Sequence, residues 1–220
     1  MDQVPEDARG QHTAIASFLG EPLAVALILH HLSQQGDQAR CVTTKVTTGK
    51  KKSPWLDAWI TPDAEARHLL YQTEIKMWAG RAFNGLSLPV DADAQTVIAA
   101  GRKQWEVVWD AEQQTFKARS VCKVLIPMVK PKGYEHARVE PLACFWWVVQ
   151  PPKVSPTEEL QPWFTVGTSS PNFPQVHIFS LSAYLRSLRG DVLSLPMPLV
   201  TARLALLQRL LPAPSWGGPP

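Results

Sequence analysis

The 220-residue sequence predicts a single domain of the α/β or α+β class. Three observations carry that prediction. Segments with strand character and segments with helical periodicity follow one another as helix, three strands, helix, strands, helices. Hydrophobic residues make up 45% of the chain, enough to bury a core of ordinary size. No internal repeat and no second apolar centre divides the sequence.

The elements follow in order. Residues 11–35 read as helical. Gly20 and Pro22 interrupt the run, so a helix begins near Glu21, where proline is tolerated in the first turn, or a longer one kinks there. Leu23 to Leu29 are apolar on every side, as in a buried helix, and Gly36 is the expected stop. Three strands are expected next: "RCVTTKV" (40–46), "WLDAWI" (55–60) and "HLLYQTEIKMW" (68–78). The last alternates as a half-buried strand would. Between the first two lies the turn "TTGKKKSP" with Lys50, Lys51 and Lys52 in succession. Residues 91–116 read as a helix capped by Asp91 or Asp93, with Val97, Ile98, Trp105, Val108 and Trp109 as its apolar stripe. Strands are expected near 120–129 and 142–149, then a proline-rich connection over 150–163. A strand near 175–181 runs into the helix "SAYLRSL", and a last helix spans about 198–211 ahead of the tail 212–220.

Composition narrows the function. The formal charge of +3 and a pI near 8.8 permit nucleic acid as a partner without demanding it. Cys41, Cys122 and Cys144 are odd in number and far apart, which suggests neither a disulfide framework nor a zinc site and fits a reducing, cytoplasmic setting. The polar, acidic start "MDQVPEDARG" is unlike a secretory signal. The longest apolar run, "PLAVALIL", is too short to span a bilayer, so no membrane role is expected. His30 and His31 fall on the buried-looking helix and read as structural. No Ser–His–Asp or Cys–His arrangement stands out.

The chemistry concentrates on two strands. Gln72, Glu74 and Lys76 alternate along the third strand and share one face. Asp57 shares its face of the second strand with Trp55 and Trp59. If the two strands pair, Asp57 and Glu74 sit on one face of neighbouring strands, where two carboxylates repel unless a cation stands between them. A hard divalent ion takes such oxygen ligands and keeps several waters. Lys76 would then hold or help deprotonate a water, or stabilise charge on a phosphate. Glu21, at the start of the buried helix, is the fourth member of the set.

Glu21 in "LGEPLAVALILHHLSQQG", Asp57 in "WLDAWI" and "TEIK" at 73–76 together resemble the PD-(D/E)xK nuclease superfamily, in its restriction-endonuclease-like and resolvase-like branches. The resemblance covers roughly residues 11–130. It departs at Leu56, where the motif has a proline that the family often lacks, and at Pro22, directly after Glu21. It implies an α/β restriction-endonuclease-like core over about 11–150, a central mixed sheet flanked by helices, and a C-terminal helical elaboration over 151–211. The helix at 91–116 and the strand at 120–129 would be the next core elements. It further implies that Asp57, Glu74 and Lys76 are catalytic. Mg²⁺, with Mn²⁺ as a substitute, would be held by Asp57, Glu74, the Ile75 carbonyl and Glu21. Gln104 resembles a glutamine that some branches place on the following helix.

The activity so implied is metal-dependent endonuclease cleavage, of DNA first, in bacterial defence, mobile-element biology or repair. Lys50, Lys51, Lys52 and Gln104 would contact the nucleic acid, and Arg102, Lys103, Lys117, Arg119, Lys123, Lys130 and Lys132 would extend the basic track. A chain this short is expected to act as a homodimer or inside a larger complex. Two other readings stay open: a catalytically silent scaffold of the same fold, and an unrelated α+β interaction module that docks through its tryptophans and C-terminal helix.

Overall fold

In a computed structural model, the chain is described at residues 19–49, 54–77, 88–89, 91–151, 159–188, 195, 197, 200–202 and 205. The expected helical run at 11–18, Lys50 to Lys52, Trp78, the tail and nearly all of the last helix lie outside the described residues.

The expected first helix is α1 (Glu21–Gln34), which follows a π turn at Leu19 and Gly20. Its end is set by Gly36. At φ +91° Gly36 adopts a left-handed conformation, its N–H donates to Ser33 O, and the Asp37 N–H donates to Leu32 O. Next come β1 (Arg40–Thr47), β2 (Trp55–Thr61) and β3 (Leu69–Lys76), an antiparallel meander as expected. Asp93 caps α2 (Ala94–Val108) by accepting the Thr96 N–H at 2.7 Å.

The second helix ends eight residues before its expected limit. Trp109 is already extended, and β4 (Trp109–Asp110) pairs with β5 (Thr115–Phe116). The Asp110 carboxylate accepts the Glu112 and Gln113 N–H groups, which favours a turn over further helix. The strand expected at 120–129 is replaced by α3 (Arg119–Cys122) and a 3₁₀ turn (Lys123–Leu125). Its buried residues, Val121, Val124, Leu125 and Met128, have helical spacing, which overrides their β propensity.

The strand expected at 142–149 is β6 (Arg138–Phe145), and it runs through Pro141. The proline is accommodated because β8 joins β6 only from Leu142 onward. The segment after 150 is more than a helical elaboration. It adds β7 (Trp163–Gly167) and β8 (Gln175–Ser180) to the same sheet before α4 (Leu181–Ser187).

The main sheet has six strands in the order β1-β2-β3-β6-β8-β7. It is mixed: β3, β6 and β8 run parallel, and both edges are antiparallel. Helices flank it on both sides, so the fold is α/β. On one face, α1 and α4 bury Ala24, Leu27, Ile28, Leu181 and Tyr184 against Tyr71, Ile75, Leu142 and Phe179. On the other, α2, the β4–β5 hairpin and the 3₁₀ turn pack Trp105, Val108, Phe116 and Val124 against Leu70, Trp59 and Phe145. β3 is therefore buried on both faces along nearly its whole length, not half-buried as its alternation suggests.

The seating of α2 is tight at Gly101, whose carbonyl accepts the Gln150 N–H. A Cβ added there would stand 2.8 Å from Val148 Cγ1 and 2.9 Å from Gln150 Cγ. Gly101→Ala is expected to destabilise the fold by about 1–2 kcal/mol in chemical denaturation, because overpacking outweighs the roughly 1 kcal/mol gain in helix propensity.

Candidate active site

The site lies where β2 separates from β3. The two strands pair from Ile60 opposite Tyr71 to Ala58 opposite Thr73, and the pairing goes no further. Continued, the register would set Asp57 against Glu74. Instead, the Ile75 N–H donates to Asp57 Oδ2 at 2.6 Å, so a side chain takes the place of the missing ladder partner. The N–H and C=O of one strand residue leave the chain on the same side. The Ile75 carbonyl therefore also faces the gap that Asp57 fills.

Glu74 points to the face covered by the 3₁₀ turn and is 1% exposed. Its carboxyl is within hydrogen-bonding reach of Asp57. Lys76 pairs with Glu74 Oε1, and Lys123 Nζ stands 2.9 Å from Oε2. The Lys123 contact is an ion pair whose angle is too poor for a hydrogen bond. Lys123 Nζ also donates to Trp55 O at 2.7 Å.

Electrostatics follow from this crowding. Burial, then the neighbouring Asp57 charge, push the Glu74 carboxyl up to about 7, against the pull of Lys76 and Lys123. Burial raises Asp57 as well, opposed by the Ile75 N–H and both lysines. Two carboxylates and two ammonium groups thus form one partly desolvated cluster.

Lys123 is the site residue that the sequence leaves inconspicuous, as one of seven basic residues on a possible track. Gln72 is the residue that positions it. The buried Gln72 side chain donates from Nε2 to Val124 O at 2.5 Å and to Ile126 O at 3.0 Å, tying the 3₁₀ turn to β3. A polar residue on the same strand face as Glu74 was the available signal.

Glu21 opens α1, whose buried residues pack on the sheet face opposite Glu74, while Gly20 just before it lies against Met77, the residue after Lys76. Among the described residues, no group of three or more His, Cys, Asp or Glu side chains is gathered as a metal would need. The oxygen donors that do converge are the Asp57 and Glu74 carboxylates and the Ile75 carbonyl. These hard ligands suit Mg²⁺, which completes its shell with water. Gln104 is buried on the inward face of α2 and makes no hydrogen bond to Asp57, Glu74 or Lys76 among the described residues. Lys50, Lys51 and Lys52 lie outside the described residues.

His31 packs against Trp163, Phe179 and Tyr184, and His30 Nδ1 is 2.5 Å from the Tyr184 hydroxyl, in keeping with structural roles. A second polar chain runs across neighbouring strands. Thr165 Oγ1 lies 2.9 Å from His177 Nδ1, and His177 Nε2 lies 2.5 Å from Glu140 Oε2. It links β7, β8 and β6. Among the described residues, no helix is long and apolar enough to cross a membrane.

No family model, no curated protein and no solved structure matches this chain.

Proposed function

We propose that the chain is a metal-dependent nuclease of the PD-(D/E)xK type that hydrolyses phosphodiester bonds in DNA. One observation carries the reading: Asp57 and Glu74 meet where two strands part, beside the Ile75 carbonyl, with Lys76 on Glu74. The element order supports it. A helix, three antiparallel strands, a helix and a strand parallel to the third occur in sequence, although that last strand is β6 and not 120–129. When bound, Mg²⁺ would lower the pKa of a water and steady the leaving oxygen. Asp57, Glu74 and the Ile75 carbonyl would hold it, and Lys76 would orient the water or a phosphate oxygen. Lys123 would neutralise charge on the phosphate.

The test is incubation with supercoiled plasmid and Mg²⁺ or Mn²⁺, alongside Mn²⁺ binding read by electron paramagnetic resonance. Metal-dependent nicking and a bound-Mn²⁺ signal, both lost in Glu74→Gln, are expected.

A second reading is favoured by the two lysines. Lys76 and Lys123 already neutralise the carboxylate pair, so the site holds together without a metal, as in a catalytically silent scaffold. That reading predicts no Mn²⁺ bound to the wild type. It also predicts new Mn²⁺ binding in Lys123→Ala, where removing one charge a few ångströms away is worth at least about tenfold in affinity.

A further inference from the structure

We propose that Trp55 is a stacking platform for an unpaired nucleobase, so that the site acts on a single-stranded or locally unpaired segment of nucleic acid. This rests on the nuclease reading above and names its substrate class.

Trp55 is the one exposed tryptophan among the described residues, at 56%; Trp59, Trp105 and Trp109 are buried. It opens β2 two positions before Asp57, so the two Cα atoms are about 7 Å apart. Lys123 links the Trp55 backbone to the carboxylate: one ammonium group is 2.7 Å from the Trp55 carbonyl oxygen and 2.9 Å from Glu74 Oε2. Apolar neighbours widen the surface. Val129, 57% exposed, donates its N–H to Thr47 O, and Thr47 pairs with Trp55. Exposed Ile126 lies three residues before Val129 in the chain.

An exposed indole beside exposed Val129 leaves apolar area open that a stacked ring would cover. The Trp55 backbone carbonyl holds the ammonium group that pairs with Glu74. Charge complementarity selects a polyanion, and the flat ring selects something to stack on. A duplex offers phosphates but keeps its base faces stacked inside, so only an unpaired base can lie on Trp55 while its phosphate reaches Lys123. Stacking on an aromatic and pairing of the backbone with lysine are the two components of single-strand recognition. In the sequence, Lys50, Lys51 and Lys52 fall between the strands that carry Thr47 and Trp55.

The test measures binding apart from cleavage. A short fluorescein-labelled DNA oligonucleotide, free or annealed to its complement, is titrated with the full chain in Ca²⁺, and anisotropy is read. The single strand is expected to bind at least about tenfold tighter than the duplex. Trp55→Ala should lose about tenfold on the single strand and little on the duplex, and Trp55→Phe should keep most of the affinity. Unchanged melting of both variants shows that the fold is intact.

Equal binding of the two forms, or a Trp55→Ala variant with undiminished single-strand affinity, overturns the inference. If the wild type still nicks plasmid in that case, the nuclease reading stands without it. Trp55-dependent single-strand binding with no cleavage in Mg²⁺ or Mn²⁺ leaves the inference and removes the nuclease. Neither binding nor cleavage removes both.

Discussion

Lys76→Ala is expected to lower metal-dependent plasmid nicking by at least about 10²-fold, and Glu74→Gln by as much or more. The reasoning is electrostatic. Glu74 is buried, and its carboxylate faces Asp57, Lys76 and Lys123 within one cluster. Removing a positioned ammonium or proton-transfer group of this kind typically costs 10²–10⁴-fold in rate, because little water is present to replace it. Glu74→Gln keeps the shape but withdraws a hard charged ligand, so Mn²⁺ binding should fall together with the rate. Lys76→Ala should spare Mn²⁺ binding or strengthen it, since it removes a competing positive charge. That split between binding and rate separates a catalytic lysine from one that only supports the fold. Cleavage persisting at the wild-type rate in Lys76→Ala would place the activity elsewhere.

The second large effect is on stability. Without divalent ions, the wild type should gain stability as pH falls from about 8 toward 4.5. The Glu74 carboxyl is raised from 4.5 to about 7 in the folded state, so the folded chain binds that proton more tightly than the unfolded one. The cost of the buried charge is fully present above about 7 and disappears as the group protonates. It amounts to about 3 kcal/mol between the two ends, at 1.36 kcal/mol per pH unit. Asp57, also raised, acts in the same direction. His31 opposes it. Burial and the neighbouring His30 lower its pKa, so stability is lost as pH falls below 6.5. Asp63, Asp93 and Glu135 have lowered values through backbone N–H groups, and their contribution is lost only near and below the ordinary carboxylate range.

The difference between wild type and Glu74→Gln isolates Glu74. Denaturant unfolding in EDTA should find the variant the more stable of the two at pH 8, and that advantage should shrink or reverse by pH 5. A flat difference curve would mean that Glu74 ionises freely, contrary to its burial. Added Mn²⁺ at pH 8 should raise the wild type alone, because a bound cation offsets the same repulsion.

How legible this was depended on the range of the forces involved. The ends of α1 and α2 were written in Gly36 and Asp93, because capping is a matter of a few neighbouring residues. The meander β1 to β3 was legible for a similar reason. Strand alternation and turn residues act over short stretches, and they alone made Asp57 and Glu74 candidates for the same face. The sequence could not reveal that β3 would be covered on both sides. Burial of its polar face depends on a turn some fifty residues away, reached through Gln72.

Lys123 belongs to that same distant turn. The sequence made it one lysine among many, and only packing carries its ammonium to Glu74. The β6 register, the added strand β7 and the early end of α2 were likewise decided by partners far along the chain. The assignment of α1 to a sheet face was another such choice. An all-round apolar helix fits either face, and packing against Tyr71, Leu142 and Phe179 decided which one α1 covers. By itself, then, the sequence determined the α/β class, the local elements and the Asp57–Glu74–Lys76 set. The tertiary structure decided which charges meet, because a charge's neighbours are set by long-range packing while the alternation that orients its side chain is local.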